Sequence, residues 1–138
     1  MSTGRTRGAV AVGTITGAVL GLAGCGMADD GSAADRASHF YAAVAAGDGA
    51  TACADLAVDA RETLAEQEGE PCPEAVLAQD LPAPSGAGTA RTYGSMAQVQ
   101  YRDETVFLSR FPDGWRVIAA GCPPVDGDQP HRCSVEVG

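Results

Sequence analysis

The sequence contains no lysine: all nine of its basic residues are arginines. It has only two histidines, His39 and His131, and no two of its five cysteines stand in a C-x-x-C spacing. Structural zinc sites need such clusters, so the cysteines do not read as metal ligands and no metal or cofactor is expected. There is no G-x-S-x-G elbow to carry a nucleophilic serine. Gly86-Ala87-Gly88 lacks the lysine and the strand-to-helix context of a phosphate-binding loop. Positive charge is scarce as well. Beyond Gly24 the chain holds seven arginines against eighteen acids, a net charge of −11. That balance argues against nucleic acid or anionic headgroups as partners of the domain, since both favour basic patches.

Residues 1–24 have a different character. Arg5 and Arg7 precede an uncharged apolar run from Gly8 to Gly24 that ends in small residues, the order of a secretory signal peptide. Leu22-Ala23-Gly24-Cys25 departs from the small-x-small rule of ordinary signal peptidase and resembles a lipobox, the bacterial lipoprotein signal. The resemblance implies cleavage between Gly24 and Cys25, a diacylglyceryl group on the Cys25 thiol, and residence on the outer face of the cytoplasmic membrane. A membrane span is the competing reading, because the uncharged run extends to Ala28, near the ~20 residues a helix needs to cross a bilayer. Six glycines between Gly8 and Gly26 weaken it.

The remaining 114 residues suffice for one domain. With Cys25 assigned to lipid, Cys53, Cys72, Cys122 and Cys133 are left, an even set that reads as two disulfides in an exported domain. Three connectivities are possible; proximity in sequence favours Cys53 with Cys72 and Cys122 with Cys133.

Residues 25–33 read as a flexible acidic tether and 34–138 as the domain, with Ser32 and Asp35 placed to cap its first helix. Ala37, Phe40, Tyr41, Val44 and Ala45 recur at helical spacing, and Gly47 is a natural terminator. Asp48 offers an N-cap to a second helix whose inner face is Ala52, Cys53, Leu56 and Ala57. Asp59 to Gln67 reads as a third helix, with Leu64 inward and Glu62, Glu66 and Glu68 outward. Pro71 and Pro73 frame Cys72 ahead of a turn or two of helix over Ala75 to Leu81. Leu81 to Gly88 reads as a plain linker.

The period then changes from 3.6 to 2. Thr89 to Tyr93 is a candidate strand; Ala97, Val99 and Tyr101 alternate with polar residues. A turn at Asp103-Glu104 leads to Val106 and Leu108. Pro112-Asp113-Gly114 marks a hairpin, followed by Trp115, Val117 and Ala119 on one face. A loop stapled to a short strand near Val135 closes the chain. Helices followed by an antiparallel meander give an α+β fold with helices packed on one face of a curved sheet.

Phe40, Ala43, Gly47 and Asp48, an apolar helix ending in Gly-Asp, resemble the opening pattern of the NTF2-like (cystatin-like, SnoaL-like) superfamily. Ala97, Val99, Val106, Leu108, Asp113, Gly114, Trp115 and Val117 resemble its closing pattern. More narrowly, the chain looks like small actinobacterial lipoproteins of unknown function. The resemblance implies a pocket between helices and sheet, lined here by Tyr41, Tyr101 and Trp115. Some relatives are isomerases or cyclases that set a carboxylate base and a phenol in that pocket. In this chain the strand positions expected to face it are Ala, Val, Leu and Trp, so no acid stands where a base belongs and no catalytic residue is assigned. The expectation is a lipid-anchored, non-catalytic module binding a small ligand or protein, with a small isomerase-type enzyme and a ligand-free structural protein as alternatives.

Overall fold

The computed structural model describes residues 25–138; residues 1–24, with the expected signal peptide and the cleavage position Gly24, lie outside the described residues. The fold is α+β, with four helices followed by a five-stranded antiparallel sheet.

Helix α1 runs Cys25–Ala45. It therefore takes in the stretch read as a tether, and Ser32 lies within it rather than capping it. The reason is tertiary. Ala33 and Ala37 are completely buried and let the helix approach the sheet closely, and the Asp30 carboxylate accepts a hydrogen bond from the Thr92 hydroxyl. Packing of one face stabilises a helix that local propensity would leave short. That face is Ala33, Ala37, Phe40, Tyr41 and Ala43, with Val44 half-buried and Ala45 exposed.

Gly47 ends the helix with φ +71. Helix α2, Gly49–Asp55, starts on Asp48, whose carboxylate accepts from the Thr51 amide at 3.0 Å and the Thr51 hydroxyl at 2.7 Å. Both bonds, the hydroxyl one first, hold the Asp48 carboxyl below the usual carboxylate range. Helix α3, Val58–Glu68, buries Ala60 and Leu64 and ends on Gly69 at φ +68. Helix α4, Cys72–Ala78, has Pro73 in its first turn and buries Ala75 and Val76. It is clamped to α2 by the Cys53–Cys72 disulfide, Cα to Cα 6.1 Å. A methyl group on Gly49 would lie 2.1 Å from the Pro73 carbonyl oxygen, so this contact is backbone on backbone.

Residues 81–88 cross over the molecule without regular structure, but they do not form a loose linker. Leu81 is buried, and Asp103 accepts from both the amide and the hydroxyl of Ser85 at 2.8 Å. Strands β1 (Thr89–Tyr93), β2 (Met96–Gln100), β3 (Thr105–Phe111), β4 (Gly114–Cys122) and β5 (Val135–Glu136) then pair in chain order. The turns after β1 and β3 lie at one end of the sheet and the turn after β2 at the other.

Ala97, Val99, Val106, Leu108, Trp115 and Val117 point into the core as their alternation requires. The register between β3 and β4 shifts between Phe107 and Leu108, which pair with Ala119 and Val117. This bulge at Ile118 changes the phase of β4, so Ala120 and Cys122, rather than Ala119, continue the buried face. Cys122 is tied to Cys133, Cα to Cα 4.1 Å, which holds β5 against β4. Among the described residues no helix is long and apolar enough to cross a membrane.

Candidate functional site

The end of the sheet that carries the β2–β3 turn also receives the C-terminal part of α1. The Tyr101 amide donates to the Glu104 carbonyl at 2.8 Å, closing the turn. Glu104 has the same strand parity as Val106 and Leu108, so its side chain turns inward and only 5 % of the residue is exposed. It meets Tyr41 of α1. The Tyr41 hydroxyl accepts from the Gly121 amide at 3.1 Å and donates to the Glu104 carboxyl. Glu104 Oε1 is left buried and without a partner among the described residues. Tyr101 completes the group, its ring edge-on to that of Tyr41 at 6.1 Å between centroids.

Burial moves these groups toward their neutral forms. The Glu104 carboxyl is pushed above the usual carboxylate range by desolvation; the Tyr41 bond opposes this and the charge on Asp103 adds to it. Desolvation, then the bond to Glu104 and its charge, carry the Tyr41 phenol far above its ordinary value, against the pull of the Gly121 amide. Tyr101 rises through burial and then the Glu104 charge.

Glu104 and Tyr101 open onto a cleft of about 230 Å³, walled by Gln98, Gln100 and Thr105 of the sheet and roofed by Pro124, Val125 and His131 of the last loop. His131 packs edge-on against Phe107 at 5.1 Å, and its Nδ1 is a second buried polar atom without a partner among the described residues. Unsatisfied buried groups are rare because each costs about 1–3 kcal/mol. Both residues line the same cleft.

A second polar cluster lies between α1 and α2. Asp55, buried at the end of α2, pairs with Arg36 and with His39 Nδ1, the latter at 2.5 Å. Its carboxylate is satisfied by these partners, and the cluster ties the two helices together.

The structure brings two of the three aromatic candidates together, Tyr41 and Tyr101, and sets Trp115 at the opposite end of the sheet. There Trp115 is buried, with the Arg110 guanidinium 4.7 Å from its ring centroid. The disulfides Cys53–Cys72 and Cys122–Cys133 form as expected from proximity, and Cys25 is the first residue of α1. The expectation that no acid faces the interior is corrected. Turn propensity at Asp103-Glu104 makes Glu104 half of a turn, but its parity with Val106 and Leu108 turns it inward. Among the described residues no group of three or more His, Cys, Asp or Glu is placed to hold a metal. The chain matches no protein family, no curated protein and no solved structure.

Proposed function

We propose that the chain is an exported, lipid-anchored protein with an NTF2-like domain that binds a small polar ligand. The anchor is a lipid on Cys25, and the ligand site is the cleft at the β2–β3 end of the sheet. The observation that carries the binding reading is the cleft of about 230 Å³ at the β2–β3 turn, two of whose lining residues, Glu104 and His131, each hold a buried polar atom without a partner among the described residues. A ligand with a hydroxyl or amino hydrogen offers Oε1 its missing donor once the Glu104 side chain turns toward the cleft. Export is supported by the two disulfides, which use every cysteine after Cys25 and favour an oxidising compartment. Order and packing support the NTF2-like assignment: helices first, then an antiparallel meander whose inner face they cover.

Titration of isotope-labelled protein with ethanolamine and with glucose, followed by NMR, tests the binding. Saturable shifts confined to Gln100, Tyr101, Glu104 and His131, and lost in Glu104→Gln, are expected for at least one probe. Uniform or absent shifts with both would favour a structural protein whose interior takes no small ligand.

The Tyr41–Glu104 pair favours one further reading, a proton-transfer enzyme of the isomerase or cyclase kind. A carboxyl with a raised pKa can take and return a proton while a phenol donates to a developing oxyanion. On that reading Tyr41→Phe and Glu104→Gln each abolish turnover of an enolisable ketone while the fold persists by circular dichroism. Equal loss of fold and activity would assign both residues to the core.

A further inference from the structure

Large apolar side chains are left exposed mainly at one end of the molecule. Of the five exposed ones among the described residues, Tyr93 (60 %), Met96 (40 %), Phe111 (40 %) and Val58 (54 %) lie at the end formed by the β1–β2 and β3–β4 turns; only Val137 lies elsewhere. Tyr93 and Met96 flank the first turn as paired residues, Phe111 opens the second, and the Arg110 amide donates to the Ser95 carbonyl at 2.8 Å, which holds the two tips side by side. Val58 joins them because it shares a cleft with Phe111.

The same end receives the start of α1. Asp30 bonds to Thr92 next to Tyr93, and Ser32 lines a cleft with Phe111, Pro112 and Trp115. Cys25 is seven residues before Ser32 on one continuous helix, about 10 Å at 1.5 Å per residue. A lipid on Cys25 is thus carried at the aromatic end, on a helix docked to the sheet rather than on a free tether.

Both signs of charge lie at this end, where the exposed Asp113 of the second turn pairs with Arg116 at 2.6 Å. Arg91 and Arg110 are exposed on the strands that form the tips, beside Tyr93 and Phe111. Glu66 and Glu68 belong to the far end of α3, Glu70 to the loop after it and Glu74 to α4, whose first turn packs against the start of α2 at the C-terminal end of α1. With Asp30, Asp35 and Asp113 beside Arg91, Arg110 and Arg116, the face nearest Cys25 carries both signs and suits a zwitterionic rather than an anionic surface.

We propose that the two hairpin tips, through Tyr93, Met96 and Phe111, sit in the headgroup region of a phospholipid bilayer and orient the domain, with the Glu104 cleft facing away from the membrane. This rests on the reading that Cys25 carries a lipid. A tyrosine ring settles at the membrane interface because its body is apolar and its hydroxyl tolerates water, which suits Tyr93, while Met96 and Phe111 bury apolar surface beside it. Two or three such side chains add orientation to an anchor that by itself only tethers.

The test uses the full chain expressed and recovered from membranes, with Phe111→Trp or Tyr93→Trp added to a protein whose one native tryptophan is buried. A Val125→Trp variant reports the cleft end. Each is placed in phosphatidylcholine vesicles with acyl chains brominated near the headgroup, and intact mass records whether Cys25 carries lipid. The tip tryptophans are expected to lose about half their emission, as for residues buried some 5–10 Å into the interface, while Val125→Trp stays at the wild-type level. Lipidated protein with unquenched tips, or with equal quenching at both ends, overturns the proposal and leaves the anchor standing. Should the protein prove unlipidated, vesicles are added to the soluble chain: tip quenching then supports this surface and refutes the anchor, and its absence refutes both.

Discussion

Removal of the Cys53–Cys72 disulfide, as Cys53→Ala with Cys72→Ala, is expected to destabilise the domain and to loosen one helix before the rest. The bridge closes a loop with a sequence separation of 19. In the chain-entropy model a loop of that size contributes about 3 kcal/mol by restricting the unfolded chain. Trimming two sulfurs beside buried Ala52 and Ala75 adds about 1 kcal/mol of lost packing. The total of about 4 kcal/mol is a large part of the ~5–15 kcal/mol that holds a domain folded. The local effect follows from size. Helix α4 has seven residues, too few to persist alone, and buries only Ala75 and Val76 completely. Urea unfolding followed by circular dichroism should show the midpoint falling by about 1–4 M. Amide exchange at residues 75–78 should accelerate more than in α1. A loss below about 1 kcal/mol, with protection of α4 unchanged, would refute the reasoning, because the helix would then be held by its side-chain contacts alone.

Gly49→Ala places a methyl against the Pro73 carbonyl and should cost about 1–3 kcal/mol, read as a shift in urea midpoint; an unchanged midpoint would mean that α2 and α4 separate freely. Glu104→Gln should alter the pH dependence of stability. The folded carboxyl holds its proton to higher pH than the unfolded one, so the wild type loses stability as pH rises from about 4.3 through the folded value. Below that window the difference between the two proteins should be constant, and above it the Gln variant gains on the wild type. Parallel stability curves from pH 3.5 to 8 would show that Glu104 is solvated.

Much of this arrangement is legible in local patterns. Gly47-Asp48 fixes a helix end and the next helix start because each needs only its own neighbours: a positive φ at the glycine and a carboxylate facing the Thr51 amide. Ala97, Val99, Val106 and Leu108 announce their buried face by alternation alone. What escapes is set by contacts distant in sequence. Residues 25–33 are helical because α1 docks on β1, and nothing within Gly26 to Gly31 signals Thr92. The bulge at Ile118 changes which residues of β4 are inward, although Ile118, Ala119 and Ala120 are all apolar in the sequence. Asp55 is buried only because Arg36 and His39, one turn apart on α1, reach it.

Glu104 is the most instructive case for the candidate site. Turn propensity at Asp103-Glu104 is real, and Asp103 does lie exposed, binding Ser85. Carrying the alternation of Val106 and Leu108 two residues back would have turned Glu104 inward. Its partner Tyr41 was already evident on the apolar face of α1, so the pair was within reach of strand parity, whereas the His131 roof depends on the path of the last loop and was not.

The proposed location outside the cytoplasmic membrane, on a lipid borne by Cys25, is tested most directly by the intact mass of the protein extracted from a membrane fraction. The account predicts a species that lacks Met1 to Gly24 and carries a diacylglyceryl group on Cys25, replaced in Cys25→Ser by a larger unlipidated precursor. Recovery of the wild type with Met1 to Gly24 still attached would contradict it.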